Sequence, residues 1–207
     1  MSNYQLVHLP KPVQTIEYFE RVKALSEKLW KQIKIDHSYF GFQIQPLSKW
    51  KKGLTENELN QFEIEMGFIF PLPLRNFYLT MNGIDKKAIN VYGDSDEPSE
   101  FQVVLYSFPE DLALIKEKID WIYKENKTNL VNLKKIKASR IFPVYGHRFM
   151  LIDEPGHPII SIYNRDIIYQ SDNLAKVIAT EIFPDIENEH DFFNVSDRKR
   201  WAKFWLE

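Results

Sequence analysis

Residues 54–85 constrain the fold of this chain more than any other stretch, because they specify two short helices almost residue by residue. Thr55 and Glu58 have the spacing of a capping box, in which each side chain accepts a backbone N–H that the first helical turn leaves free. A helix is therefore predicted to begin here. Its apolar residues recur at helical spacing and form one stripe, at Leu59, Phe62 and Met66.

The same stretch predicts where the first helix ends and where a second begins. Gly67 supplies the left-handed backbone that commonly terminates a helix. Pro73 suits the first turn of a second helix, where a missing N–H has no cost. That helix is expected to end at Asn82-Gly83, a pair that tolerates positive φ. It carries the large residues Leu74, Phe77, Tyr78 and Met81.

This succession of motifs resembles the opening of the SMI1/KNR4, or SUKH, superfamily. The shared pattern is a capping box, a short helix that ends in glycine, a Pro-x-Pro segment preceded here by Phe70, an aromatic helix and Asn-Gly. Later segments support the resemblance, which covers residues 54–183. They are Ile141-Phe142-Pro143-Val144 with Gly146-His147, a hairpin at 153–158, Asp166-Ile167-Ile168-Tyr169 and a helix from Leu174.

The resemblance implies a function in binding proteins. Bacterial members of the superfamily commonly act as immunity proteins that neutralise a cognate toxin, often a nuclease, whereas fungal relatives are scaffold or regulatory interaction proteins. The expected fold is α+β, with an antiparallel twisted sheet packed by helices. Four short β-rich runs with brief connections predict a meander, at 141–144, 149–152, 159–163 and 167–169.

We divide the chain into three segments that are expected to form one globular unit. Residues 1–53 form an N-terminal extension with an amphipathic helix at 14–35, packed on the core. Residues 54–183 form the SMI1/KNR4-like domain. Residues 184–207 contain an acidic linker and a helix, capped by Ser196, that is aromatic and basic.

Composition restricts the function classes. The 207 residues contain no cysteine, which excludes disulfides and thiolate sites and favours a cytoplasmic protein. A net charge of -2 lacks the basic excess of a general nucleic-acid binder. No apolar run approaches the length of a membrane span. We therefore expect no direct contact with nucleic acid or membrane, and no cofactor.

Two acidic segments are the candidate partner-binding residues. An inhibitor of a nuclease meets a basic, phosphate-binding cleft, so surface carboxylates should speed its association. Solvated acidic loops remain the alternative interpretation. Asp94-x-Asp96 lacks the other ligands of a calcium loop, so no metal is expected. The first segment contains Asp94, Asp96, Glu97 and Glu100, and the second contains Asp185, Glu187, Glu189 and Asp191.

Two further interpretations stay open. One is an enzyme acting on phosphates, with His147 as general base, Arg148 as phosphate ligand, and Asp153 and His157 nearby. A hairpin explains the same residues without chemistry, so no catalytic residue is assigned. The other is a scaffold whose C-terminal aromatic residues recruit partners rather than dock on the core. These residues are Trp201, Phe204 and Trp205.

Overall fold

A computed structural model of the chain describes residues 6–92, 100–194 and 204–206. Over these residues the protein has an α+β fold in which helices pack against antiparallel sheets, as predicted. The helices described are α1 (Ile16–Trp30), α2 (Glu56–Met66), α3 (Leu72–Thr80), α4 (Leu112–Glu125), α5 (Leu130–Ile136), α6 (Leu174–Ile182) and α7 (Glu189–Phe193). The strands described are β1 (Gly41–Gln43), β2 (Trp50–Lys52), β3 (Met81–Ile84), β4 (Ala88–Val91), β5 (Glu100–Gln102), β6 (Ile141–Tyr145), β7 (Arg148–Leu151), β8 (Ile159–Tyr163) and β9 (Asp166–Ser171).

The largest sheet is the predicted meander, in the order β6-β7-β8-β9. Every pairing in it is antiparallel. All five residues of β6 are buried, since α4 and α6 pack against this strand. The other two sheets are small, with strand orders β1-β4-β5 and β2-β3. The closely spaced β-rich runs therefore predicted the central sheet correctly.

Helix α2 has the predicted ends. The Glu58 N–H donates to the Thr55 hydroxyl at 3.3 Å, and the Thr55 N–H donates to the Glu58 carboxylate at 2.8 Å. Gly67 ends the helix with a φ of 75°, in the left-handed region. Both halves of the capping box and the glycine terminator are confirmed.

The junction after α3 differs from the prediction. Helix α3 ends at Thr80, and Asn82-Gly83 lies inside β3 rather than in a turn. The Asn82 amide accepts from the Phe108 N–H at 2.8 Å and donates to the Phe108 carbonyl at 2.7 Å. Gly83 passes so close to the chain that an added Cβ would lie 2.9 Å from the Tyr106 carbonyl carbon. Gly83 does adopt a positive φ of 70°, as the pair predicted, and the close approach of a distant segment also requires its missing Cβ.

Glu63 of α2 is buried. Its carboxylate accepts the Phe70 N–H at 2.7 Å and pairs with Arg75 at 2.7 Å. It thereby satisfies the backbone of the segment that links α2 to α3. A buried carboxylate is tolerated because both partners compensate its lost hydration.

Aromatic side chains join the two organising helices to the meander. Phe62 of α2 stacks on Phe108 with ring centroids 4.6 Å apart, and it meets Phe70 edge-on at 4.9 Å. Phe142 of β6 lies 5.2 Å from Phe70. Such pairs add about 0.5–1.5 kcal/mol each beyond their area burial.

The N-terminal helix packs on the same core. α1 is shorter than the predicted 14–35 and lies against α3 and α6. Trp30, at the end of α1, is buried against Trp50 with ring centroids 5.4 Å apart. Trp50 in turn donates its indole N–H to Ser26 at 2.7 Å, so its ring belongs to the core. None of the helices described is long and apolar enough to cross a membrane.

The C-terminal residues described also dock inward. Trp205 is buried, stacks on Tyr123 of α4 at 6.2 Å, and donates its indole N–H to the Ser139 carbonyl at 2.8 Å. The predicted helix start at Ser196, and Trp201, lie outside the described residues. Trp205 thus stabilises the face of α4 that carries Tyr123.

Candidate partner-binding surfaces

The first predicted acidic segment is described only at one end. Asp94, Asp96 and Glu97 lie outside the described residues. Glu100 begins β5 and is exposed, and its carboxylate accepts the Tyr92 hydroxyl at 3.1 Å and the Gln102 amide at 2.8 Å. This carboxylate is therefore held against its own β-hairpin.

The second segment forms what we call the acidic surface. Its backbone is fixed by Val7, whose N–H donates to the Asp185 carbonyl at 3.1 Å and whose carbonyl accepts the Glu187 N–H at 2.9 Å. Ile186 between them is buried, whereas Asp185 is half-buried and Glu187 is exposed. The acidic surface comprises Asp185, Glu187, Glu189 and Asp191.

The acidic surface is poorly compensated by cations. Among the described residues, Glu187 has an ionic partner, His8 at 2.7 Å, and the other three carboxylates have none. Glu189 and Asp191 lie in the first turn of α7, where the helix dipole favours negative charge. Phe193, at the end of α7, is 58% exposed beside them. An apolar side chain next to solvated carboxylates is a typical edge of a protein interface.

The proposed catalytic residues form a closed network instead of an open site. Arg148 donates to Glu181 at 2.6 Å and to the Ser161 hydroxyl at 2.6 Å. Its Nη1 atom also lies 2.8 Å from His147 Nε2, and because arginine has no acceptor, the arginine must donate. The guanidinium is thus occupied by protein partners.

The electrostatics of His147 disfavour its protonation. Burial lowers its pKa to about 4, and the nearby Arg148 and Lys118 charges act in the same direction. Asp153, expected nearby, pairs with Arg140 instead, and His157 Nδ1 lies 3.0 Å from the Ile152 carbonyl. The two histidines and the aspartate therefore have separate hydrogen-bond partners, with no shared acid–base pair.

A second surface, which the sequence did not predict, is a groove between β5 and α4 with a volume of about 470 Å³. We call it the β5–α4 groove. Three of its apolar side chains are exposed, Phe101 at 59%, Leu114 at 44% and Trp121 at 43%. Its lining residues are Lys87, Phe101, Gln102, Val103, Tyr106, Leu114, Glu117, Lys118 and Trp121.

Lys118 gives this groove its electrostatic character. Its ammonium lies 5.6 Å from the ring centroid of Tyr106 and 5.9 Å from that of Phe149. Burial lowers its pKa to about 8. No carboxylate among the described residues pairs with it. The groove thus contains a partly desolvated cation that packs on aromatic rings and forms no ion pair with a described carboxylate.

A signal for the groove was present in the sequence of α4. The stripe that packs inward is Ile115, Ile119 and Ile122. A second face carries Leu114 and Trp121 seven residues apart, with Lys118 midway between them. Residues at this spacing share one side of a helix. Two apolar residues on an otherwise polar face of α4 therefore indicate a surface that could contact an apolar group.

Comparisons of the chain with protein-family models, with curated proteins and with solved structures find no match. The described residues contain no group of His, Asp and Glu that could hold a metal ion. By its fold and surfaces, the chain is an α+β protein with an exposed acidic surface and a separate apolar groove that contains a cation.

Proposed function

We propose that the chain is a non-enzymatic immunity protein that binds and neutralises a cognate bacterial toxin, a nuclease, in the cytoplasm. The proposal combines the resemblance of residues 54–183 to SUKH proteins with the charge of the acidic surface. A nuclease presents a positively charged cleft for phosphates. Carboxylates facing that cleft attract it over a Debye length and exclude its substrate.

The observation that carries the proposal is the set of carboxylates on the acidic surface. Asp185, Glu189 and Asp191 have no cationic partner among the described residues. Exposed Phe193 provides an apolar contact beside them. Aromatic side chains are enriched among the anchors of protein interfaces, and surrounding charges set the association rate.

The experiment is co-purification from the native organism with a tagged full-length chain, followed by mass spectrometry and size-exclusion chromatography. The expected result is a stable complex with the C-terminal domain of a large toxin, whose nuclease activity the chain suppresses. A complex made of housekeeping proteins, with no toxin domain when the toxin is expressed, would favour the scaffold alternative.

Two observations weigh against the alternatives. Arg148 is engaged by Glu181 and Ser161, so a phosphate would have to displace an ion pair with an N–O distance of 2.6 Å. Trp205 is buried in the core, which makes it unavailable as an exposed anchor for a scaffold partner. A His147→Ala variant that retains toxin neutralisation would separate binding from the catalytic hypothesis.

A further inference from the structure

The β5–α4 groove is unsuited to the partner proposed for the acidic surface. Its lining contains two lysines, Lys87 and Lys118, and one carboxylate, Glu117. A basic toxin cleft would meet repulsion there rather than attraction. Any occupant of the groove therefore differs in charge from the toxin cleft proposed for the acidic surface.

Lys118 indicates the charge of that occupant. Its ammonium is partly removed from water, yet its nearest described interactions are with the faces of Tyr106 and Phe149. Cation–π contacts return only about 0.5–2 kcal/mol, less than full hydration provides. An anion in the groove would supply the missing charge-assisted hydrogen bond.

The side chains that form the walls of the groove indicate that the remainder of the ligand is apolar. Phe101, Leu114 and Trp121 expose large apolar areas on both sides of the lysine. Burying these areas would contribute about 25 cal/mol per Å² of apolar surface. Ligand sites of this kind combine mostly apolar walls with a few polar groups that fix orientation. The cavity volume of about 470 Å³ accommodates a group the size of a phenylalkyl chain.

The groove favours one negative charge over two. Among its lining residues there is no arginine, and Glu117 repels a second negative charge. A phosphate dianion needs several donors to replace its hydration, whereas a carboxylate needs fewer. We propose that the β5–α4 groove binds a monocarboxylate attached to an apolar group, with the carboxylate on Lys118 and the apolar group against Phe101 and Trp121.

This chemistry has two natural sources, a free small carboxylate or the C-terminal residue of a polypeptide. The full-length chain is titrated by isothermal calorimetry with 4-phenylbutyrate and with the peptide acetyl-Gly-Ser-Phe, and each is compared with its amide. We expect saturable one-to-one binding of at least one acid, and binding of its amide weaker by about tenfold or more, which corresponds to one lost charged hydrogen bond. The acid that binds more tightly identifies the source.

Variants assign the binding to the groove. Lys118→Met keeps the length of the side chain but removes the charge. It should lower the affinity for the acid by about tenfold or more. Trp121→Ala should lower the affinities for the acid and for its amide equally, because it removes the apolar wall. Lys124→Met makes the same charge change at an exposed position of α4 and should leave the affinity unchanged.

The pH dependence provides an independent readout. The carboxylate requires a protonated Lys118, so affinity should fall as pH rises above about 8. The other titratable groups around the lysine are Lys87, Tyr106, Glu117 and His147. Burial raises the pKa of the Tyr106 hydroxyl, and the pKa of His147 is lowered to about 4. With these shifts, neither group changes its charge between pH 6 and 9. Lys118→Met should lack this pH dependence.

Several results would overturn the proposal. Absence of saturable binding by both acids at about 10 mM, where even a site with a Kd of about 1 mM is mostly occupied, would exclude the site. Equal affinity of the wild type and of Lys118→Met for the acid would exclude Lys118 as the group that binds the carboxylate. Tighter binding of phenyl phosphate than of 4-phenylbutyrate would show that the groove prefers a phosphate to a carboxylate, contrary to the proposal.

Discussion

Glu189 of the acidic surface and Lys118 of the β5–α4 groove have no ion-pair partner among the described residues, but they differ in hydration. The Glu189 carboxylate is exposed, so water compensates its charge at little cost to folding. The Lys118 ammonium is partly buried, and this desolvation lowers its pKa to about 8. An uncompensated charge therefore has a different physical meaning at each site.

This difference separates what each surface can do. Solvated carboxylates act at long range, through the rate at which a charged partner arrives and through its dependence on salt. A desolvated ammonium acts at short range, through the affinity of one bound group and through its dependence on pH. We therefore expect the two surfaces to respond to different substitutions and different conditions.

The largest expected effect concerns the support of the groove. Trp205→Ala leaves a cavity behind Tyr123 on α4 and should lower the free energy of unfolding by about 3–5 kcal/mol, measured by urea denaturation. Phe193→Ala beside the acidic surface is the control and should change stability by less than about 0.5 kcal/mol. Equal losses in the two variants would show that the acidic surface depends on packing as much as the groove does.

The next effect is a gain in stability. Folding penalises the charged form of Lys118, whose pKa is about 8 instead of the ordinary 10.5, while the unfolded lysine keeps its proton. Lys118→Met should therefore stabilise the protein at pH 7 by about 1–2 kcal/mol, after allowance for the lost cation–π contact. The gain should shrink between pH 8 and 10.5, because the folded wild type then releases its proton first. A gain that is zero, or independent of pH, would contradict a desolvated lysine.

A smaller effect is expected at the acidic surface. Glu189→Lys should slow association with the co-purified toxin domain by about 3–10-fold at low salt and less at high salt, as stopped-flow fluorescence would measure. Its effect on stability should be within about 0.5 kcal/mol. Glu20→Lys, an exposed position on α1, is the matched charge reversal and should leave the rate unchanged. Equal rates in both variants would remove the acidic surface from the interface.

The smallest effect tests how far the charge of the groove extends. His147 should titrate near pH 4 by NMR, and Lys118→Met should raise its pKa, since one of two neighbouring cations is removed. The Lys124→Met protein serves as the control. A midpoint for His147 near the ordinary 6.5 in wild type would mean that this network is open to solvent.

Local patterns in the sequence were sufficient for part of the fold. The capping box of Thr55 and Glu58, the helix end at Gly67 and the β6-β7-β8-β9 meander depend on neighbouring residues, and all three are confirmed. Long-range partners were not predictable in this way. Asn82 is explained by Phe108, and Glu63 by both Phe70 and Arg75.

The candidate sites divide along the same line. The acidic surface follows from composition, because closely spaced acidic residues usually lie outward even where an apolar residue between them is buried. The groove requires β5 and α4 to meet, and no local pattern specifies that contact. The enzyme hypothesis met the same limit, since Arg148 looked available until Glu181, 33 positions later in the chain, was placed beside it.

A titration of the toxin domain's nuclease activity with the purified chain tests the immunity function itself. We expect stoichiometric inhibition by the wild type and much weaker inhibition by a variant in which the carboxylates of the acidic surface are neutralised, Asp185→Asn, Glu187→Gln, Glu189→Gln and Asp191→Asn. A nuclease that stays fully active at saturating wild-type protein would contradict the immunity function. Equal inhibition by the wild type and the neutralised variant would contradict the acidic surface as its binding site.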